Sequence, residues 1–389
     1  MNTSDPTTSW RKFVAPEFVF GWGCRELAAR SVASLGARHV LLVSGPHIEA
    51  AGWVADVENN LSAAGLRCTR FLGISPNPRT YEVEEGAELY QSAGCDAIVA
   101  LGGGSPLDAA KGIGIVATNM RPIASFEGVD MVSVPGPPLV CLPTTAGSAS
   151  EVSQFAILLD PDRRTKITII SKSMVPDKAL IDPAMTVTMD PTLTATTGMD
   201  ALTHAVEALV SNAHSSLTDL HALEAIRLIK THLGQAVQSP EDRDARIGML
   251  LGSLQAGLAF SNTSLGVVHA MSHSLGGHLD LPHGLCNAIL LPVAVAANFA
   301  SAPEQYRKLA QVLEVELPGE DLQVQADALA SAILGMGRDM GIHQQLQDIG
   351  VASSDLAHLA ANALADPCMV TNPRDMTQAE VEQLYGQVL

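Results

Sequence analysis

The chain has 389 residues, of which 47% are apolar and 16% charged, and its formal net charge is −18. That acidic balance excludes a nucleic-acid-binding surface, which needs clustered Lys and Arg. It leaves room for a phosphate-bearing cofactor, because backbone N–H groups hold phosphates without net positive charge.

Six widely spaced cysteines form no C-x-x-C pair, so free thiols in a reducing compartment are expected. The N-terminus "MNTSDPTTSWRKFVAPEF" has no apolar segment of signal-peptide type. The apolar run "CNAILLPVAVAANFA" reads as too short for a membrane span and contains Pro292. The expectation is a soluble cytoplasmic protein that engages neither membrane nor nucleic acid.

In chain order, "HVLLVSG" (His39–Gly45) has the pattern of a buried strand, and "TYEVEEGAELYQSAG" that of a helix. "CDAIVALGGG" (Cys95–Gly104) and "PLVCLPTTAGS" (Pro138–Ser148) repeat the strand pattern. Strands alternating with helices imply a parallel sheet. "FAILLD" and "TKITII" flank "PDRR" and read as a hairpin. Val175 to Pro191 is rich in Pro and Asp and reads as a boundary. From there the patterns are helical, with Asp190 as N-cap and Pro191 in the first helical position. The predicted architecture is an α/β domain over residues 1–189 and an all-α domain over residues 190–389.

"ALGGGSPLDAAKG" places three glycines between a strand and a helix. Gly102, Gly103 and Gly104 allow a ligand close to the backbone. Ser105 fits an N-cap, Pro106 the first helical position, and Asp108 the third position of a capping box. The uncompensated N–H groups of such a helix start suit a pyrophosphate. The alternative is a tight turn without ligand, since this is not a G-x-G-x-x-G fingerprint. "LPTTAGSASE" adds a second small, hydroxyl-rich turn at a strand end, which is where open α/β sheets bind nucleotides.

"VVHAMSHSLGGHLDLPHG" carries four histidines in an otherwise apolar segment. His269 and His273 share a helix face by i, i+4 spacing. Gly276 and Gly277 are expected to end that helix, with His283 in a loop that folds back. Upstream, Asp200 and His204 share a face in "GMDALTHAVEALV". If the two helices pack together, Asp200, His204, His269 and His283 supply one hard oxygen and three imidazole nitrogens, a set suited to Fe(II) or Zn(II). His278, His214, His221 and His232 read as structural or surface residues.

These stretches together resemble the iron-containing (group III) alcohol dehydrogenase family over nearly the whole chain. The likeness rests on "GGGSPLDAAK", "PTTAGSASE", "DPTLTATTGMDALTHAVEALVS", "HAMSHSLGG" with "PHG" downstream, and "CMVTNPR". It implies a dinucleotide-binding domain and a helical metal domain with the active site between them. It implies that Asp200, His204, His269 and His283 ligate one Fe(II), with Zn(II) as a substitute, and that a hydride passes between a nicotinamide cofactor and an alcohol. Gly103, Gly104 and Ser105 would then hold the pyrophosphate, Thr144 and Thr145 line the cofactor, Lys166 reach its ribose, and Asn77 face the nicotinamide. The resemblance also implies a homodimer or higher homo-oligomer.

In such a site the metal polarises the substrate oxygen and no nucleophilic Ser or Cys is needed. His273, one turn after a ligand, is the candidate proton relay, with a purely structural role as the alternative. Glu207 reads either as a support to a ligand or as packing. Two departures from the family pattern stand out. Gly45 ends the first strand where many members carry an Asp for the adenosine ribose, so NADP(H) becomes admissible beside NAD(H). Bulky Phe155 stands where a propanediol-reducing relative has a small polar residue, and with Phe260 and Cys368 it should border a less polar pocket, suited to a small primary alcohol and its aldehyde. The rivals are a glycerol-like polyol dehydrogenase, a maleylacetate reductase, a dehydroquinate-synthase-like lyase and a non-catalytic metal-binding protein.

Overall fold

Every residue of His39–Val43 is buried, as in a strand covered on both faces. Leu41 and Val43 join one apolar cluster while Val40 and Leu42 join another, following the two-residue period of a strand. The computed structural model describes residues 12–389. The expectation drawn from the N-terminus falls mainly on residues 1–11, outside the described residues.

In chain order the α/β half comprises β1 (Glu17–Phe20), α1 (Ala28–Ser34), β2 (His39–Val43), α2 (Pro46–Ala50), α3 (Trp53–Ala63), β3 (Arg67–Phe71), α4 (Thr80–Ala93), β4 (Ala97–Gly102), α5 (Gly104–Asn119), β5 (Gly128–Val129), β6 (Leu139–Pro143), β7 (Phe155–Asp160), β8 (Thr165–Ile170) and β9 (Lys178–Ile181). The main sheet is parallel, in the order β1-β9-β6-β4-β2-β3. The chain leaves β2 towards β3 and then returns to the other side of β2 to form β4. The loops after β2 and β4 therefore diverge, and a crevice opens at their carboxyl ends. Gly45 and Gly103 sit at those two ends.

The hairpin of β7 and β8 forms as expected, with β5 added parallel to β8. Three strands of the main sheet carried no signal in the sequence. β9 lies inside the Pro- and Asp-rich stretch that reads as a boundary, yet it pairs with both β1 and β6. β1 and β3 are edge strands with mixed exposure, too short and too polar to show a period.

The helical half comprises α6 (Pro191–Val210), α7 (Ser216–Gln238), α8 (Arg243–Thr263), α9 (Val267–Leu279), α10 (His283–Asn298), α11 (Pro303–Leu313), α12 (Leu322–Asp339), α13 (Leu356–Ala365) and α14 (Gln378–Gln387). Asp190 caps α6 as expected, accepting a hydrogen bond from the Leu193 backbone N–H at 2.8 Å. The segment His283–Ser301 is 19 residues long and apolar enough to cross a membrane by length and composition, which corrects the reading of its run as too short. Its apolarity is explained by packing: α10 lies against α6, α9 and α12.

Two helix boundaries differ from expectation. α9 runs through Gly276 and Gly277 and ends at Leu279. Those glycines serve a close approach instead of a stop. A Cβ on Gly277 would lie 2.8 Å from the Lys166 backbone N, and one on Gly276 2.7 Å from Lys166 Cε, so α9 rests directly on β8. His283 is not in a loop; it opens α10 after Pro282.

Candidate active site

One cleft of about 390 Å³ runs between the carboxyl end of the sheet and helices α6, α8, α9 and α10. Gly45, Gly103, Gly104, Ser105, Thr145 and Lys166 line it from the α/β side, and Asp200, His204, Phe260, His269, His273 and His283 from the helical side.

At the sheet end, Gly103 is the N-cap of α5 and no side chain caps the helix. This corrects the expectation that Ser105 is the cap and Asp108 its capping-box partner. Asp108 is engaged elsewhere, accepting from the Ser150 hydroxyl and from the Ile157 backbone N–H at 3.1 Å, and it lies 3.8 Å from Lys111 Nζ. The first N–H groups of α5 are thus left for a ligand. A Cβ on Gly103 would meet Thr145 at 3.2 Å and one on Gly104 would meet Ser148 at 3.0 Å, so the two turns leave backbone facing the cleft. Lys166 lies on the opposite wall, and burial lowers its pKa. A cleft with an uncapped helix start, bare glycine backbone and one cation fits a dinucleotide phosphate.

Two expected cofactor contacts are placed differently. Thr144 is buried behind the turn, its N–H donating to the Gly102 carbonyl at 2.9 Å, and only Thr145 reaches the cleft. Asn77 lines the cleft, but its amide is occupied: it donates to Asp280 Oδ1 at 2.9 Å and to the Leu281 carbonyl at 3.3 Å.

At the helical end, Asp200 Oδ1 lies 3.8 Å from His269 Nε2 and 3.7 Å from His283 Nε2. One ligand atom from each of these three residues falls within 4.8 Å of the others. His204 is beside them but outside this set, its ring stacked 4.3 Å from Phe260 and 4.5 Å from His269. The sequence pattern grouped all four as equals.

The imidazoles are oriented by partners. His269 Nδ1 is 2.6 Å from Glu207 Oε2, and Glu207 Oε1 accepts from the Val268 N–H at 2.7 Å. Glu207 therefore supports a ligand rather than packing at random. His283 Nδ1 is 3.0 Å from the Ser272 hydroxyl. Burial pushes His204 down to about 4, His269 to about 3 and His283 well below its usual range, so all three are neutral donors at pH 7. Burial also raises Glu207 to about 7. Neutral Nε2 lone pairs converging with a carboxylate oxygen fit a divalent cation.

His273 sits on the cleft wall with Nδ1 2.8 Å from Asp366 Oδ2. Phe155 and Phe260 meet edge to face at 5.7 Å and form an apolar wall. Cys368 is fully buried behind Asp366 and does not reach the cleft, which corrects its expected place in the pocket. The sequence reading missed Asp366, Ser272 and Asn287. Asp366 stands two residues before Cys368, just outside the motif that was noticed. Asn287 is four residues after His283, a spacing that becomes informative only when His283 is known to be helical.

Comparisons with known proteins identify the family. A family model described as iron-containing alcohol dehydrogenase matches residues 15–183, and one described as Fe-containing alcohol dehydrogenase family, C-terminal, matches residues 194–389. The chain is 38% identical over 370 residues to the 1,3-propanediol dehydrogenase of Citrobacter freundii, covering 95% of this chain and 96% of that one. It is 35% identical over 377 residues to the NAD-dependent methanol dehydrogenase of Bacillus methanolicus, covering 97% and 99%. A crystal structure of 1,3-propanediol oxidoreductase superposes with a TM-score of 0.94 at 37% identity, covering 98% of this chain and 100% of that one. Family and relatives define the class: an oxidoreductase acting on the CH–OH groups of alcohols and on the corresponding aldehydes. The chain belongs to the iron-containing alcohol dehydrogenase family.

Proposed function

We propose that this chain exchanges a hydride between NAD(H) or NADP(H) and a small, primary, weakly polar alcohol and its aldehyde, with Fe(II) as the resident metal and Zn(II) as a substitute. The observation that carries the reading is a single cleft lined at once by the uncapped start of α5 and by Asp200, His269 and His283.

When bound, the metal supplies Lewis-acid polarisation of the substrate oxygen and the nicotinamide supplies or takes the hydride. The protein's own groups do the rest. The α5 backbone N–H groups and Lys166 hold the cofactor's phosphates and ribose. Asp200, His204, His269 and His283 would hold the cation, the His204 ring lying 4.5 Å from that of His269. Phe155 and Phe260 exclude water and favour a short carbon chain over a polyol. His273 Nε2 is free for proton exchange because Nδ1 is committed to Asp366.

The acceptance of NADP(H) is supported by Gly45 on the cleft wall, which presents no carboxylate to a 2′-phosphate, with exposed His47 beside it. Lys166 is the only Lys or Arg on the described cleft wall. That argues against a lyase for phosphorylated, carboxylated substrates.

The test is an anaerobic assay of Fe(II)-loaded protein with short aldehydes, following oxidation of NADH and of NADPH. Turnover that is lost on chelation and in His269→Ala supports the reading. Equal activity in that variant would sink it.

A further inference from the structure

The three converging ligand atoms share one more neighbour. Asn287, fully buried on α10 one turn after His283, places Nδ2 2.7 Å from Asp200 Oδ1 and 3.2 Å from both His269 Nε2 and His283 Nε2. With Nδ1 of each ring engaged elsewhere, Nε2 is the atom each imidazole turns towards Asn287. Glu207 takes the Nδ1 proton of His269. His283 Nδ1 is turned to the Ser272 hydroxyl at 3.0 Å, which leaves its Nε2 as the atom facing Asn287. A single NH₂ group thus faces these three atoms, which is the arrangement a cation would otherwise satisfy.

The other end of the same amide is the opposite case. Asn287 Oδ1 is buried and has no hydrogen-bond partner. Buried acceptors are almost always paired, so one beside a set of ligand atoms needs an explanation. The two ends of a carboxamide are nearly equal in size. Turning it over exchanges a donor for a neutral, hard oxygen without repacking the core.

We propose that Asn287 is a switchable donor of this metal site: without a cation its NH₂ holds Asp200 and the two imidazoles in register, and turned over it would present its oxygen to a bound cation and bias the site towards Fe(II). This rests on the metal reading given under Proposed function. Structural Zn(II) sites close with four ligands, whereas a site of two imidazoles and one carboxylate with further positions open is typical of Fe(II). An additional neutral oxygen therefore favours iron without adding charge. Asn287 is a positioning and selectivity residue here, not a group that touches substrate.

The experiment loads the wild type, Asn287→Leu, Asn287→Ala, Asn287→Asp and His269→Ala anaerobically with equimolar Fe(II) and Zn(II) in a chelator buffer. Elemental analysis counts each bound metal, and thermal melts report folding. The bound Fe:Zn ratio is expected to fall about tenfold in the Leu and Ala variants, the lower end of what a partner residue contributes to a metal site. Asn287→Asp, which keeps an oxygen at this position, should stay near the wild-type ratio. A folded Leu or Ala variant with an unchanged ratio overturns the proposal, even if total metal falls, because a merely structural role weakens both metals together. Binding by the wild type that survives in His269→Ala, or no binding by the wild type at all, overturns the underlying metal reading instead.

Discussion

His273 Nδ1 lies 2.8 Å from Asp366 Oδ2, and both side chains are almost wholly buried. Burial alone would raise the Asp366 pKa. The charge and hydrogen bond of His273, with the Cys368 backbone N–H, outweigh it and hold the carboxyl below its usual range. Asp366 therefore stays ionised and fixes the His273 proton on Nδ1, leaving Nε2 towards the cleft. Asp366→Asn is expected to lower kcat about 10- to 100-fold, the size of losing a partner that orients a functional imidazole, with bound metal and cofactor KM nearly unchanged. Unchanged kcat with a normal pH profile would return His273 to a structural role.

That pair shows which parts of the site were readable from the sequence. Asp200 with His204, and His269 with His273, are each one helical turn apart, so a period of 3.6 exposes them. Asp366 is 93 residues from its histidine and reaches it only through the fold. The same applies to Asn287, which contacts Asp200 across 87 residues. In the fold, β2, β4 and β6 were legible because both of their faces are buried. β9 was not, because its four residues sit among prolines and aspartates that read as a break. Gly276 and Gly277 misled for a physical reason: a helix tolerates glycine where another chain segment must come close, and only the position of Lys166 reveals that need.

A bridge closes one edge of the cleft. Asp280 takes Arg79 Nη2 at 2.6 Å and Asn77 Nδ2 at 2.9 Å, joining the loop before α4 to the turn after α9. Half of the Asp280 side chain is exposed, so the pair adds at most about 1 kcal/mol to stability. Its larger effect should be on the cleft. Asp280→Ala is expected to leave the melting temperature within a few degrees and to speed cofactor release several-fold in stopped-flow fluorescence. An unchanged release rate would show that the bridge does not guard the cleft.

Phe155 is 5% exposed and meets Phe260 edge to face, so it sets the polarity of the substrate wall. Phe155→Asn should raise the preference for a hydroxylated aldehyde over its unsubstituted analogue about tenfold in kcat/KM, as expected when a pocket gains a matching polar group. The lost packing should destabilise the fold by about 2–4 kcal/mol. A drop in stability with no change in preference would place the substrate elsewhere in the cleft.

At Gly45, an aspartate would bring a carboxylate to the cleft wall, and its Cβ would lie 2.9 Å from the Ile74 carbonyl. The loop must shift slightly to accept it. Gly45→Asp is expected to reduce kcat/KM for NADPH by at least about tenfold while that for NADH changes little, since only the 2′-phosphate meets the new charge. Equal losses for both cofactors would mean that the loop shift, not repulsion, dominates.

The C-terminal clamp gives a prediction in pH. Glu380 accepts from the Thr377 N–H at 2.7 Å and hydroxyl at 2.8 Å, and from Arg374 Nη1 at 2.7 Å. The Thr377 backbone hydrogen bond leads, followed by Arg374, in lowering its pKa to about 2. The loop it fastens presents Asn372, whose Oδ1 accepts from the Val267 N–H at 3.2 Å at the start of the helix that carries His269. A carboxylate whose folded pKa lies below its unfolded value binds fewer protons when folded, so its contribution is complete above the unfolded pKa and is lost as pH falls towards the folded one. Glu380→Gln should therefore lower the melting temperature at pH 7, and the gap to wild type should shrink as pH falls from about 4.5 towards 2. A gap that stays constant down to pH 3 would mean that shape and packing, not the carboxylate charge, hold this clamp on α9.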